Sequence, residues 1–416
     1  MTIKRSAICV TLATFVLVLT VAGWAAELVL VRFTGTNGSY PFGTPVFDSA
    51  GNLYGTTSSG GPNGGLGTVF ELSPIQGGWN HTILYTFNPS QNPMDGSGPY
   101  AGVILDSAGN LYGATQFGGG TEAICPSGCG TVFKLTPSSQ GTWDESILYR
   151  FQGGSDGASP HASLLLGPRG ELYGTTQAGG STNCVSGCGT VFKLFQTQSG
   201  SWHKTILHTF MGSAQPDGGN PSGPLVFDNT GNLYGTTFSG GRSYCTPDGC
   251  GTVFEFTPTP SGLWQYHVIH DFGDGEGFGI NPAGGVVVDG AGNLYGTTSA
   301  GTNINQGSLF ELSPDGLGNW IGKMLHKFHT TAGRPYAPLI LDVAGGIHGT
   351  TLGGGRGGTA FGLTSFSAFG AFKFNQTDGA KPYSGLVSDS QGNLYGATSQ
   401  GGGTGLNAGV VFELTQ

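Results

Sequence analysis

The chain has 416 residues, of which 80 are glycine and only 9% are charged, while 37% are hydrophobic and 11% are aromatic. Glycine disfavours helix interiors and the apolar content supports a large buried core, so the composition predicts an all-β protein with many turns and excludes a disordered chain. The formal net charge of −9 argues against a nucleic-acid partner, which needs a basic surface on the protein.

The N-terminal segment has the pattern of a secretory signal. Lys4 and Arg5 precede a nearly unbroken apolar run over residues 7–22, and small residues follow the run. We therefore expect a signal peptide over residues 1–25 and a secreted protein, periplasmic or extracellular. An uncleaved anchor is the alternative, because the run is just long enough to span a bilayer. No second apolar stretch follows, so we expect no membrane span after cleavage.

Two motifs recur seven times along the rest of the chain. The first reads Gly-Asn-Leu-Tyr-Gly-Thr-Thr and the second Gly-Thr-Val-Phe-Glu-Leu, with small changes between copies. Copies of the first motif occupy 51–57, 109–115, 170–176, 231–237, 292–298, 345–351 and 392–398. Copies of the second occupy 67–72, 130–135, 189–194, 251–256, 307–312, 358–363 and 409–414. A proline precedes the first motif in every copy, and an apolar run follows the second in all but the last.

Each repeat contains short apolar runs separated by turn residues and rich in Val, Ile, Tyr, Phe and Thr, which is typical of strands. A repeat is thus predicted to form a four-stranded antiparallel sheet, with strands A to D in chain order. Both faces of each sheet carry apolar or small residues, and radial stacking of the sheets buries both. The sequence therefore predicts an all-β, seven-bladed β-propeller as a single domain over residues 26–416. The blades are expected at about 41–87, 99–151, 160–210, 221–272, 282–328, 335–374, and 382–414 with 28–33.

The two ends of the chain are predicted to close the ring. The last repeat stops after strand C, and the run Leu-Val-Leu-Val-Arg-Phe at residues 28–33 matches strand D. Three strands from the C-terminal end and this one from the N-terminal end would complete the last blade. Such closure leaves no open sheet edge in the ring.

Six cysteines follow the signal segment in three neighbouring pairs, Cys125/Cys129, Cys184/Cys188 and Cys245/Cys250. An even number of cysteines in an exported chain is typical of disulfides. A zinc site needs four ligands close together, and no histidine lies near any pair in the sequence. We predict disulfides with local pairing, which is the simplest of the connectivities that six cysteines allow.

The repeats resemble the GloVer repeat of bacterial choice-of-anchor tandem-repeat proteins. The resemblance rests on Asp-x-x-Gly-Asn-Leu-Tyr-Gly-Thr-Thr, a Gly-Gly pair, Gly-Thr-Val-Phe-Glu/Lys-Leu and Leu-Tyr-x-Phe, and it covers residues 28–416. It implies an exported β-propeller. It implies no catalytic residue, because the family has no established activity.

Function is expected on the face that carries the B–C and D–A loops, since these loops are long and variable. The residue after each proline begins strand A near the central mouth of this face. In blades 6, 7, 1, 2 and 3 these residues are Tyr336, Tyr383, Phe42, Tyr100 and His161, and in blades 4 and 5 they are Ser222 and Ala283. Arg334 and Lys381 lie two residues before Tyr336 and Tyr383. The pattern predicts an aromatic arc on one side of the mouth, with two cations beside it.

The aromatic arc has two interpretations. Aromatic rings stack on sugar rings and nearby cations favour acidic saccharides, so the arc would bind carbohydrate. Alternatively, the rings plug the channel. We expect a monomeric binding or structural module whose partner is a polysaccharide or a cell-surface protein. The alternative is a polysaccharide lyase or glycoside hydrolase, for which His161 with Asp156 is the best acid/base candidate, although no residue is assigned as catalytic.

No cofactor is expected, with calcium as an alternative. Asp-Gly recurs in the D–A loops, and one of these loops, together with the strand before it, groups Asp271, Asp274 and Glu276. A carboxylate cluster can hold Ca²⁺. The simpler interpretation is that Asp-Gly forms turns.

Overall fold

The computed structural model describes residues 26–415 apart from 121–123, 215–216, 243–244, 246–247, 274–276, 302–305, 330–332, 355, 364–368, 404 and 406. Within these residues the chain forms seven four-stranded antiparallel sheets, one for each repeat. The seven-bladed propeller predicted from the repeats is therefore confirmed. The predicted signal segment lies outside the described residues.

Each blade contains strands A, B, C and D, of which strand A is the shortest. Blade 1 has strands Val46–Phe47, Leu53–Thr57, Thr68–Ile75 and Gly78–Thr86. Blade 2 has strands Ile104–Leu105, Leu111–Thr115, Thr131–Pro137 and Trp143–Arg150. Blade 3 has strands Leu165–Leu166, Leu172–Thr176, Thr190–Gln196 and Trp202–Thr209. Blade 4 has strands Val226–Phe227, Leu233–Thr237, Thr252–Pro258 and Trp264–Asp271.

The remaining blades repeat this order. Blade 5 has strands Val286–Val288, Leu294–Thr298, Ser308–Pro314 and Trp320–Lys327. Blade 6 has strands Ile340–Leu341, Ile347–Thr351, Thr359–Leu363 and Phe369–Lys373. Blade 7 has strands Val387–Ser388, Leu394–Thr398, Val410–Thr415 and Ala26–Arg32. Short 3-10 helices lie in the loops at Pro62–Gly64, Gly154–Asp156 and Gly212–Ala214.

The N-terminal strand closes the ring as predicted. Ala26–Arg32 pairs antiparallel with Val410–Thr415 and is strand D of blade 7. The strand begins two residues earlier than the predicted run, and the next residue, Phe33, is buried against Phe70 of blade 1. Closure therefore joins the two ends of the chain through both backbone pairing and side-chain packing.

The A–B turn is built by the aspartate of the Asp-x-x-Gly-Asn segment. In blade 1, Asp48 accepts hydrogen bonds from the backbone amides of Ala50 and Asn52, the side-chain amide of Asn52 and the hydroxyl of Tyr54, at 2.8–3.1 Å. Burial alone would raise the pKa of Asp48, but the hydrogen bonds from Asn52 and Tyr54 lower it overall. This aspartate holds the turn, which is the role expected for an Asp before Gly-Asn.

The hydrophobic core lies between the blades. The phenylalanine that follows strand D of one blade meets the phenylalanine of strand C in the next, and Phe151 and Phe192 have ring centroids 5.3 Å apart. The equivalent pairs are 4.7–5.4 Å apart and comprise Phe33–Phe70, Phe87–Phe133, Phe210–Phe254, Phe272–Phe310, Phe328–Phe361 and Phe374–Phe412. Every blade interface thus repeats one aromatic contact, and the interface that closes the ring has it too.

Three disulfides join the predicted local pairs, Cys125–Cys129, Cys184–Cys188 and Cys245–Cys250, with Cα atoms 5.1–5.3 Å apart. All lie in B–C loops. These loops share a rim with the D–A loops, since Gly96–Ser97 pairs with Phe117–Gly118 and Gly218–Gly219 with Ser239–Gly240. Disulfides are typical of an extracytoplasmic protein. Among the described residues no helix is long and apolar enough to cross a membrane.

Candidate functional site: a central aromatic cavity

A cavity of about 310 Å³ lies at the centre of the long-loop face, and we call it the central cavity. The residue after the repeat's proline lines it in every blade: Phe42, Tyr100, His161, Ser222, Ala283, Tyr336 and Tyr383. The structure therefore brings together all seven positions that the repeat alignment placed at the mouth.

The five rings form a continuous arc along one wall of the central cavity. Phe42 stacks on Tyr100 with ring centroids 5.0 Å apart, and Tyr100 stacks on His161 at 5.3 Å. On the other side, Tyr383 meets Phe42 edge-on at 5.1 Å, and Tyr336 lies 6.0 Å from Tyr383. Burial lowers the pKa of His161, so its imidazole is neutral at pH 7. The arc is an apolar wall with three phenol groups.

On the opposite side, the position after the proline has small side chains. Ser222 and Ala283 take the place of rings in blades 4 and 5, and the Ser222 hydroxyl donates to the backbone carbonyl of Ala283 at 3.1 Å. Beside the mouth, the backbones of neighbouring blades touch, because a Cβ on Gly43 would lie 2.3 Å from the amide nitrogen of Gly102. The free space therefore lies between the aromatic wall and the small side chains of blades 4 and 5, and adjoining blade backbones are too close to leave a gap between them.

Two further residues with large side chains line the central cavity. Gln177 and Phe238 each follow strand B directly, in blades 3 and 4. Sequence reasoning missed them because it considered only the position after the proline. The signal was present, since the residue after Gly-Thr-Thr varies between copies of an otherwise uniform motif. These side chains add an amide and a sixth aromatic ring on the side away from Tyr336.

The two predicted cations line a second cavity, of about 380 Å³, which we call the basic pocket. Arg334 and Lys381 are exposed there beside Gln306, and Tyr336 and Tyr383 line both this pocket and the central cavity. Burial and the neighbouring Tyr336 raise the pKa of Tyr383, while the positive charge of Arg334 acts in the opposite direction. The two cavities are therefore adjacent and share an aromatic wall.

The acid/base pair considered in the sequence has different neighbours in the structure. Asp156 accepts a hydrogen bond from the Tyr149 hydroxyl at 2.7 Å and forms an ion pair with Lys204 at 2.6 Å. His161 instead stacks on Tyr100 in the central cavity. Asp156 thus acts as an interblade contact, since Tyr149 and Lys204 belong to blades 2 and 3.

Of the residues considered for calcium, Asp274 and Glu276 lie outside the described residues. Asp271 accepts a hydrogen bond from the amide of Arg242 at 2.8 Å. Within the described part of the chain, no group of three or more His, Cys, Asp or Glu side chains is placed to hold a metal ion. The D–A loop aspartates that are described, such as Asp95 and Asp217, accept hydrogen bonds from Tyr85 and His208 on the preceding blade.

A family model described as the Gloeobacter/Verrucomicrobia repeat matches residues 18–245, 119–359 and 246–416. The chain belongs to the Gloeobacter/Verrucomicrobia repeat family. The resemblance inferred from the repeat motifs is thereby confirmed. Among curated proteins, none is significantly similar to this member of the family.

Solved structures similar to this Gloeobacter/Verrucomicrobia repeat protein include the periplasmic gluconolactonase PpgL of Pseudomonas aeruginosa. It is 15% identical with a TM-score of 0.52, over 80% of this chain and 84% of that one. A protein from Lactobacillus plantarum is 13% identical with a TM-score of 0.52 and the same coverage. PorZ, a surface component of the type-IX secretion system of Porphyromonas gingivalis, is 15% identical with a TM-score of 0.51, over 93% of this chain and 48% of that one. At these identities the similarity shows the fold.

Proposed function

We propose that this protein is an exported binding module that holds a sugar ring of a polysaccharide in the central cavity. The observation that carries the proposal is the arc of five contacting rings from Tyr336 to His161. The arc faces the small residues Ser222 and Ala283, and the cavity has a volume of about 310 Å³. Small-ligand sites are typically about 300–1,000 Å³, mostly apolar, with a few fixed polar groups.

The chemistry of the lining suits a saccharide. A sugar ring presents C–H groups on its faces and hydroxyls at its edge, so it needs apolar surface and hydrogen-bonding groups close together. The arc supplies the apolar surface. The hydroxyls of Tyr100 and Tyr336 and the amide of Gln177 lie in the same lining and supply the hydrogen bonds.

Export is supported by the three disulfides, which persist in oxidising compartments. The signal pattern at residues 1–25 supports it from the sequence. A polysaccharide outside the cell is a partner that such a protein would meet.

The test is a glycan array followed by calorimetric titration of the purified protein, for the wild type and the double variant Tyr336→Ala plus Tyr383→Ala. Each lost ring contact is worth about 0.5–1.5 kcal/mol, so the double variant should bind roughly 5–150-fold more weakly. The fold should survive, because blade 5 has Ala283 at the equivalent position.

The matched control removes two exposed apolar side chains from the other rim. Leu263 and Leu317 lie in C–D turns, so Leu263→Ala plus Leu317→Ala should leave binding unchanged. Binding to no glycan, or binding unaffected by loss of Tyr336 and Tyr383, would overturn the proposal. Release of products from a bound glycan would show that the module is an enzyme.

A further inference from the structure

We propose that the basic pocket is a subsite for the anionic group, carboxylate or sulfate, of an acidic saccharide whose ring lies in the central cavity. This inference rests on the proposed function and names the class of saccharide. Arg334 and Lys381 supply the charge, and Tyr336 and Tyr383 connect the pocket to the sugar-ring site because they line both cavities.

The backbone holds both cations in place. Each of them precedes the repeat's proline and has a left-handed conformation, with φ of 65° at Arg334 and 58° at Lys381. The amide of Arg334 donates to the carbonyl of Gln306 in blade 5 at 2.9 Å, and its carbonyl accepts from Leu352 of blade 6 at 3.0 Å. Lys381 makes the same two kinds of bond, to Gly357 and Ser399. Hydrogen bonds to two blades therefore fix the backbone from which each side chain extends.

The same position in other blades has a different role. Blades 4 and 5 have Asn220 and Asn281 there, also left-handed, and asparagine tolerates this conformation well. Their side-chain amides donate to the backbone carbonyls of Gln177 and Phe238, at 2.9 and 2.8 Å. Arg334 and Lys381 have exposed side chains that extend into the basic pocket, at a backbone cost that asparagine avoids. The left-handed conformation also occurs at this position in blades 1 and 3, so it is a feature of the repeat, and the cationic side chains are what distinguish blades 6 and 7.

The electrostatics favour an anion. The chain has a formal net charge of −9, yet of the residues that the structure describes no aspartate or glutamate lines either cavity. Among the described residues, neither Arg334 nor Lys381 forms an ion pair. Two adjacent unpaired cations on an acidic protein attract a negatively charged group, and charge-assisted hydrogen bonds hold it more strongly than neutral ones do.

The experiment compares acidic saccharides with neutral derivatives in which the anionic group is esterified or removed. Oligomers of galacturonate, glucuronate and mannuronate are titrated beside their methyl esters, and sulfated oligosaccharides beside their desulfated forms. The proteins are the wild type, Arg334→Asn plus Lys381→Asn, and the control Lys327→Asn, an exposed lysine on strand D of blade 5. Asparagine keeps the left-handed backbone, as blades 4 and 5 show.

We expect at least one acidic oligomer to bind roughly tenfold or more tightly than its neutral partner, with that preference lost in the double variant and kept in Lys327→Asn. Added salt should weaken the wild type and hardly affect the double variant, since screening acts only on the charged contact. Carboxylate and sulfate probes separate the two kinds of anion.

Three outcomes would overturn the inference. Equal binding of acidic and neutral partners would remove the subsite and leave the sugar-binding function standing. An acidic preference that persists in the double variant would assign the anion to other residues. Binding of no saccharide at all would remove the proposed function, and the inference with it.

Discussion

At the scale of single residues, one position on strand D shows how the repeat places charge between blades. The residue at this position pairs with the leucine that ends the second motif on strand C. It is Glu145 in blade 2 and Lys204 in blade 3. Lys204 forms an ion pair with Asp156 of the preceding loop. Glu145 instead faces a second carboxylate, the buried Asp95. Equivalent positions thus form an ion pair between blades 2 and 3 and bring two carboxyl groups together between blades 1 and 2.

The acid pair makes the stability of the protein depend on pH. Burial and the negative charge of Asp95 raise the pKa of Glu145 to about 7, with Arg150 acting in the opposite direction, and Tyr85 donates to Asp95. Folded Glu145 therefore keeps its proton up to about pH 7, whereas an unfolded glutamate, with a pKa of 4.5, releases it at lower pH. The folded state binds more protons between these values, so its stability falls as pH rises through this interval.

The variant Glu145→Gln should remove this loss, since glutamine mimics the protonated acid. We expect its melting temperature to match the wild type near pH 5 and to exceed it at pH 8. Glu311→Gln, on a strand-C glutamate paired with surface Lys323, serves as the control. Equal shifts for Glu145→Gln at both pH values would show that the proton is not involved.

At the level of strands and turns, two residues that occur in every repeat are partners across each blade interface. The glycine that opens Gly-Thr-Val-Phe lies against the proline of the next repeat. A Cβ on Gly251 would lie 2.6 Å from the Cδ of Pro282 and 2.4 Å from the carbonyl oxygen of Thr237. Gly409 meets Pro41 in the same way, where the last repeat contacts the first. Glycine is needed there because the neighbouring backbone leaves no room for a side chain.

Gly251→Ala should therefore destabilise the protein more than the same substitution at a glycine that has a similar φ but no atoms near its Cβ position. Gly231 is that control, because its φ of 90° is close to the 94° of Gly251 and nothing lies within 4 Å of its Cβ position. The left-handed alanine costs about 1–2 kcal/mol at either site, and the clash adds about 1–3 kcal/mol at Gly251 alone. Urea-unfolding midpoints measure the difference, and equal midpoints would contradict the contact.

At the scale of the whole molecule, the ring is closed by a strand far away in sequence from the rest of its blade. Ala26–Arg32 pairs with Val410–Thr415, and Phe33 packs on Phe70 as its equivalents do at the other interfaces. An open ring would expose the edge of Val410–Thr415 and an apolar blade face. Closure therefore stabilises the first and last blades together.

Phe33→Ala should cost about 3–5 kcal/mol, like the equivalent Phe151→Ala within the ring, because both rings are fully buried. Leu28→Ala is the control on the same strand, since Leu28 is 51% exposed and its loss should change little. Thermal unfolding measures all three. If Phe33→Ala were as mild as Leu28→Ala, the closing strand would contribute little to stability.

The number of blades, their strand order, the closing strand, the local disulfides and the residues around the mouth could all be predicted from the amino-acid sequence. These follow from repetition, because equivalent residues of stacked copies occupy equivalent positions, so Tyr336, Phe42 and His161 could be placed on one ring without coordinates. The role of Asp48 in its turn followed in the same way, because its partners lie within a few residues along the chain.

The contacts between the copies could be read only from the folded structure. The size of the central cavity depends on the side-chain orientation of the rings at the mouth. Its lining also includes Gln177 and Phe238, which no sequence motif marked. Arg334 and Lys381 line a pocket together with two rings of the aromatic arc, and this arrangement depends on the spacing of two adjacent blades. Asp156 reaches Lys204, and Asp95 faces Glu145, for the same reason. Such contacts join residues about a whole repeat apart in the chain, and their distances are set by the packing of blades around the axis.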